Sequence, residues 1–161
     1  FEEIPEDERK RIIECCHKMF EEIGFVQPEK IYGVQIEDRK SQVTFSAFGQ
    51  KAPPAVKEGW DLDYKKRRPM IEVLKRMLPE YDIRGGGASS FDVTMKGIDK
   101  GFGIQKMKEY LGYDIKEMFF AGDDLSELGN DYSVHLQGVE CLHVNSIDQT
   151  KEAIREYLRN L

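Results

Sequence analysis

Three aspartates crowd one short loop. Asp123, Asp124 and Asp131, with Asn130 beside them, follow the apolar run Met118-Phe119-Phe120-Ala121-Gly122. Acids placed at the carboxyl end of a buried strand in an open α/β sheet stand where such sheets bind ligands, and their hard oxygens suit Mg²⁺. The competing structural role is simpler: Asp124 or Ser126 caps a short helix and the other acids are solvated.

Two further stretches could carry chemistry. Lys100 sits just before a helical segment, where a compact ammonium can stabilise a transferring phosphoryl group, although most lysines are surface residues. Gly101, next to it, would let the backbone come close. In Arg84-Gly85-Gly86-Gly87-Ala88-Ser89-Ser90-Phe91-Asp92-Val93 the glycines allow positive φ and a nest of N–H groups for a phosphate or sugar oxygen, or else simply a flexible hairpin turn. No Gly-Lys-Ser/Thr follows, which excludes a nucleotide P-loop. His17, His135 and His143 are scattered, and no serine or cysteine occupies a nucleophile elbow.

The elements that must hold these groups divide by pattern. Before Lys96 the grammar is antiparallel. Apolar residues recur at helical spacing from Pro5 to Gly24, then "KIYGVQIED" and "SQVTFSAFG" read as a hairpin, and the doubled prolines of "QKAPPAVKEGWDLD" mark a loop. A helix over Arg68 to Met77 and a strand, glycine turn and strand complete about four strands with two helices on one face. From Lys96 on the grammar is parallel: a helix over Gly101 to Leu111, a strand at "KEMFFAG", a loop with a helical turn, a strand at "VECLHV", and a terminal helix capped by Ser146. The expected class is therefore α/β, with an α+β domain over 1–95 and part of a parallel-sheet core over 96–161. Two strands are few for a doubly wound sheet, so part of the second domain is expected to lie outside the chain.

Composition narrows the function. The chain has 161 residues, 40% hydrophobic, with a formal charge of -6, which argues against non-specific nucleic-acid binding despite the basic run at 64–69. No apolar stretch approaches the roughly 20 residues needed to span a bilayer. Cys15, Cys16 and Cys141 are odd in number and lack metal-ligand spacing, so reduced thiols and a cytoplasmic setting are expected.

Taken in order, Gly86, Gly87, Ser90-Phe91-Asp92-Val93, Gly97-Ile98-Asp99-Lys100, Gly122-Asp123 and Gly129-Asn130-Asp131 resemble the later part of a capped haloacid dehalogenase superfamily phosphotransferase (subfamily IIB), and most of all its eukaryotic-type phosphomannomutase branch. The resemblance implies an α/β cap followed by the carboxyl half of a Rossmannoid core. It implies Lys100 as the phosphate-stabilising lysine, Asp123 as a Mg²⁺ ligand supported by Asn130 and Asp131, and Gly86, Gly87, Ser90 and Asp92 as cap residues that hold the distal end of a phosphosugar. A homodimer through the cap is also implied. Two departures stand out. The family's nucleophilic Asp-x-Asp-Gly-Thr segment is not in the sequence, so the chain by itself is expected to be inactive. Gln50 occupies the substrate-binding position where the family carries an arginine; Lys51, Arg67 and Arg68 are the nearby cations that could stand in. The expected activity is Mg²⁺-dependent phosphoryl transfer on a phosphosugar, as phosphatase or phosphomutase. The alternatives are a non-catalytic module that binds a sugar phosphate or a protein, and a two-component receiver; in a receiver the lysine follows the acids, whereas Lys100 precedes Asp123.

Overall fold

The computed structural model describes residues 3–159, and the chain divides into two compact units, one ending at Gly97 and the next beginning at Ile98. In the first unit α1 (Glu6–Ile23) starts with three acids in its first turn, favourable to the helix dipole, and stops at Gly24 in the left-handed region. Its buried stripe is Ile12, Cys15, Cys16 and Met19. The strands β1 (Ile36–Asp38), β2 (Gln42–Ser46), β3 (Tyr81–Gly86) and β4 (Ser90–Met95) form an antiparallel sheet of order β1-β2-β4-β3. Between β2 and β3 lie α2 (Pro54–Lys57) and α3 (Arg67–Met77).

Alternation splits the sheet into two faces. Val43, Phe45, Ile83, Phe91 and Val93 are buried with Met19, Ile71 and Leu74 of α1 and α3, and the Phe45 and Phe91 rings lie 4.9 Å apart. Each such side chain contributes about 1.5–3 kcal/mol on burial. On the opposite face the register lines up Glu37, Thr44, Asp92 and Arg84 in one row, with Ser46, Ser90 and Gly86 in the next.

Two expectations need correction here. The first hairpin strand is three residues long instead of nine: Gly33 takes φ +81° and the Val34 N–H donates to the Gln50 side chain at 2.9 Å, so the backbone over 32–35 pairs with 46–51 only irregularly, as in the Tyr32 N–H to the Phe48 carbonyl at 2.8 Å. The proline loop is not wholly irregular, since Pro54 fits the first turn of α2.

In the second unit α4 (Lys100–Leu111) is capped by Asp99, whose carboxylate accepts the Phe102 N–H at 2.9 Å, and ends at Gly112. A 3₁₀ turn (Ile115–Glu117) with a capping box precedes β5 (Phe119–Gly122), which pairs in parallel with β6 (Glu140–His143). The helical turn expected within the loop over 125–131 lies just after it, as the short helix α5 (Tyr132–His135), and α6 (Ile147–Arg159) closes the unit. Its N-terminal Ser146 hydroxyl accepts the Gln149 N–H at 3.2 Å. Ile104, Val134 and Val139 make the core, flanked by Ile115, Met118, Phe120 and Cys141. Among the described residues no helix is long and apolar enough to cross a membrane, and Cys15, Cys16 and Cys141 are free thiols.

Candidate functional site

The second unit gathers four of the residues singled out in the sequence. The Asp99 cap makes Lys100 the first residue of α4, and its ammonium donates to the Asn130 Oδ1 at 3.2 Å and to the Asp131 Oδ1. Asp131 is 1% exposed, and its other oxygen accepts the Asp124 N–H at 3.1 Å. A buried carboxylate needs such partners, since an unpaired one would lose its hydration without compensation. Gly122 leaves room for it: a Cβ there would stand 2.4 Å from the Asp131 Oδ2. A cavity of about 440 Å³ opens at this point, at the carboxyl end of β5, lined by Lys100, Gly122, Asp123, Asp131, Asn145 and Ser146 among others.

The donors suit a hard cation. Asp123 is exposed and lines the same cavity as Asp131, giving two carboxylates, the number Mg²⁺ ordinarily takes from protein. Asn130 and one oxygen of Asp131 face the Lys100 ammonium, which leaves Asp123 as the exposed carboxylate of the cavity. Among the described residues no three His, Cys, Asp or Glu side chains surround one point. Gly101 differs from expectation. Its missing side chain admits Ser133, whose carbonyl oxygen would lie 2.5 Å from a Cβ and whose hydroxyl accepts the Gly101 N–H at 3.1 Å, so the close approach is to α5.

In the first unit the helix-free sheet face holds Gly86, Ser90 and Asp92 together. The Ser90 hydroxyl donates to the Gly86 carbonyl, and a Cβ on Gly86 would be 3.0 Å from the Asp92 Oδ2. The Asp92 Oδ1 accepts the Thr44 hydroxyl at 2.6 Å and the Gln42 amide at 3.0 Å. Gly87, exposed with φ +54°, starts the turn above them. The Gln50 Oε1 accepts the Val34 N–H and holds the 32–35 loop.

Arg67 does not stand in for the absent arginine. It is 2% exposed and its Nε donates to Asp61 Oδ2 at 2.9 Å, whereas Lys51 and Arg68 are exposed. The sole Asp-x-Asp in the chain, Asp61-Leu62-Asp63, does not supply a nucleophile, because Asp61 is 3% exposed and accepts the Lys66 and Arg67 backbone N–H groups at 2.7 and 2.9 Å. Sequence reasoning missed Gln42, Thr44 and Arg84 on the open face. The signal was there in the strict alternation of polar residues at 42, 44 and 46 and at 90, 92 and 94.

The sequence matches the family model for eukaryotic phosphomannomutase over residues 2–160. The phosphomannomutase of Drosophila melanogaster is 35% identical over 78 residues, 47% of this chain and 30% of that protein. The Spinacia oleracea phosphomannomutase is 30% identical over 107 residues, 63% of this chain and 41% of that protein. The Oryza sativa phosphomannomutase is 29% identical over 129 residues, covering 76% and 50%. The chain thus spans half or less of the length of these curated relatives. Among solved structures, the IMP-bound Plasmodium falciparum IMP-nucleotidase matches with a TM-score of 0.65 at 16% identity, covering 98% of this chain and 40% of that one. The Synechocystis sucrose-phosphatase in complex with sucrose and phosphate gives 0.50 at 14%, covering 90% and 53%. At such identities the likeness is one of fold.

Proposed function

The chain belongs to the eukaryotic phosphomannomutase family, of haloacid dehalogenase type, and from that membership we propose that it serves Mg²⁺-dependent phosphoryl transfer on a phosphosugar. Residues 1–95 act as the cap that reads the sugar, and 96–161 as the carboxyl part of the catalytic core. The observation that carries this reading is the Lys100 ammonium held beside Asp131 at the rim of a cavity that Asp123 also lines.

Each group has a defined task. Lys100, with its side chain 45% exposed, reaches solvent and the buried Asp131 at once, so it can meet the oxygens of a phosphoryl group without losing its anchor. Asp123 and Asp131 would hold Mg²⁺, which when bound supplies further positive charge to the phosphoryl oxygens. The Gly86–Ser90 turn and Asp92 provide donors and acceptors for sugar hydroxyls or the distal phosphate. The phosphoryl acceptor is an aspartate of the parent protein outside these residues, since Asp61 is committed to the fold. We place the protein in the cytoplasm and its dimer contact on the cap, where β1 and β3 are the edges of the sheet.

The test is a panel of phosphosugars and p-nitrophenyl phosphate, offered with Mg²⁺ to the full-length protein and to this chain, with and without a hexose bisphosphate. The full-length protein should turn over hexose phosphates in preference to the aryl ester, and the chain alone should turn over neither. Isomerisation separates mutase from phosphatase. Rapid turnover by the chain, abolished in Lys100→Ala, would refute the external acceptor; tight hexose phosphate binding without turnover by the full-length protein would favour a binding module.

A further inference from the structure

Arg67 opens α3 and is the bulkiest fully buried side chain among the described residues. Its guanidinium fork is fully directed. Nε donates to the Asp61 Oδ2 and Nη2 to the Asp61 carbonyl, each at 2.9 Å. Nη1 donates to the carbonyls of Gly87 at 2.8 Å and Ser90 at 3.0 Å. The Tyr64 ring lies 4.0 Å from the guanidinium carbon and packs on Gly85, where a Cβ would stand 2.3 Å from the phenol oxygen. A charge so compensated and so deeply buried does not bind an external anion. It holds the β3–β4 turn from within.

The direction of the turn's peptide groups follows. Ser90 donates its hydroxyl to the Gly86 carbonyl, Arg67 takes the carbonyls of Gly87 and Ser90, and the Ala47 N–H takes that of Ser89 at 3.0 Å. In a planar trans peptide the C=O and the next N–H point in opposite directions. Drawing the Gly87 oxygen towards the guanidinium therefore turns the Ala88 N–H away from it, and the left-handed φ of +54° at Gly87 permits that orientation. A backbone N–H left pointing outward in this way is a donor for an anionic or hydroxyl oxygen.

We propose that Arg67, fixed by Asp61, is a positioning residue that presents the N–H of Ala88 to an oxygen of the phosphosugar. The inference rests on the phosphosugar reading given above and adds the group that sets the geometry of the sugar-reading turn. A guanidinium is required because its planar fork reaches two carbonyls and Asp61 together, which an ammonium on a flexible stem does not.

Two experiments test it. In the full-length protein, Arg67→Gln should raise KM for a hexose 6-phosphate about tenfold with kcat changed less than threefold, and kcat/KM should fall about tenfold more for that substrate than for p-nitrophenyl phosphate. Arg67→Lys should recover only part of the loss. Ala88→Pro, which deletes the N–H, should give the same KM rise, and it serves as the test should Arg67→Gln fail to fold. Equal losses on both substrates, or an unchanged KM in a folded variant, would overturn the proposal. Separately, titrating inorganic phosphate into the 161-residue chain should move the ¹⁵N amide resonance of Ala88, an effect absent in Arg67→Gln. A moving Ala88 resonance in a protein that does not prefer hexose phosphates sinks the phosphosugar reading alone. A hexose phosphate preference with a still Ala88 resonance and no effect of Arg67→Gln sinks the positioning role alone.

Discussion

Two residues set opposite electrostatic problems. Asp131 is buried and relies on Lys100 and the Asp124 N–H, while Lys100 is half in water. Removing the lysine leaves a charged acceptor short of a donor, and solvent reaching the site repays part of the loss, so Lys100→Met should cost about 1–2 kcal/mol. The same substitution in an Asp131→Asn background should cost less than half as much, read from urea midpoints in a double-mutant cycle; strictly additive costs would mean that the pair does not couple. Cys16 poses the reverse case, since burial pushes its thiol from 9.0 up to about 12, with adjacent Cys15 adding to the rise. A raised folded-state pKa means that the fold favours the protonated thiol, so this contribution is whole below pH 9 and is lost as pH climbs from 9 towards 12. The expected slope is about 1.4 kcal/mol per pH unit in that window. Unfolding midpoints at pH 8 and 10.5 should show it, and Cys16→Ala should flatten it.

Among elements, the contact of α4 with α5 depends on one missing side chain. Alanine in a helix interior usually gains about 1 kcal/mol over glycine, yet at Gly101 the new Cβ would meet the Ser133 carbonyl oxygen at 2.5 Å. Gly101→Ala should therefore destabilise the chain by about 1–3 kcal/mol, whereas Gly103→Ala, with open space around its Cβ, should be neutral or stabilising. Thermal melts of the two variants give the comparison. This pair also marks what the sequence could reveal. Periodicity located α1 and α3 within a residue and placed β3, β4 and α6 in order along the chain, because each buries one continuous apolar stripe or alternates between an apolar and a polar face. It set the helical turn of α5 a few residues too early and missed the shortness of β1, because both are decided by distant partners: Ser133 with Gly101, and Gln50 with Val34. The site divides in the same way. Type and order along the chain grouped Lys100, Asp123 and Asp131, and the three line one cavity. The Asp61–Arg67 anchor was not, since a buried arginine in a basic run reads as one more solvated cation until its carbonyl partners are known.

Over the whole molecule, the two units differ in how well each can stand by itself. The first has four strands, two helices over one face and an aromatic core in which Phe20, Phe25, Phe45 and Phe91 interlock at 4.9 to 5.8 Å. The second has a two-stranded sheet and leaves Leu142, Ile147, Ile154 and Leu158 exposed by 42 to 75%. Two strands with a small core are marginal in water, and stability scales with the surface a unit can bury. Unfolding should therefore come in two steps, the second unit melting first. The sequence provides its own reporter, since the one tryptophan, Trp60, belongs to the first unit and packs edge-on against Phe48 at 5.8 Å. In a urea titration helical circular dichroism should begin to fall while Trp60 fluorescence is still native, because α4 and α6 are lost before the unit that holds Trp60. Coincident transitions by both probes would mean that the chain unfolds as one cooperative body and that the second unit draws stability from beyond its own core.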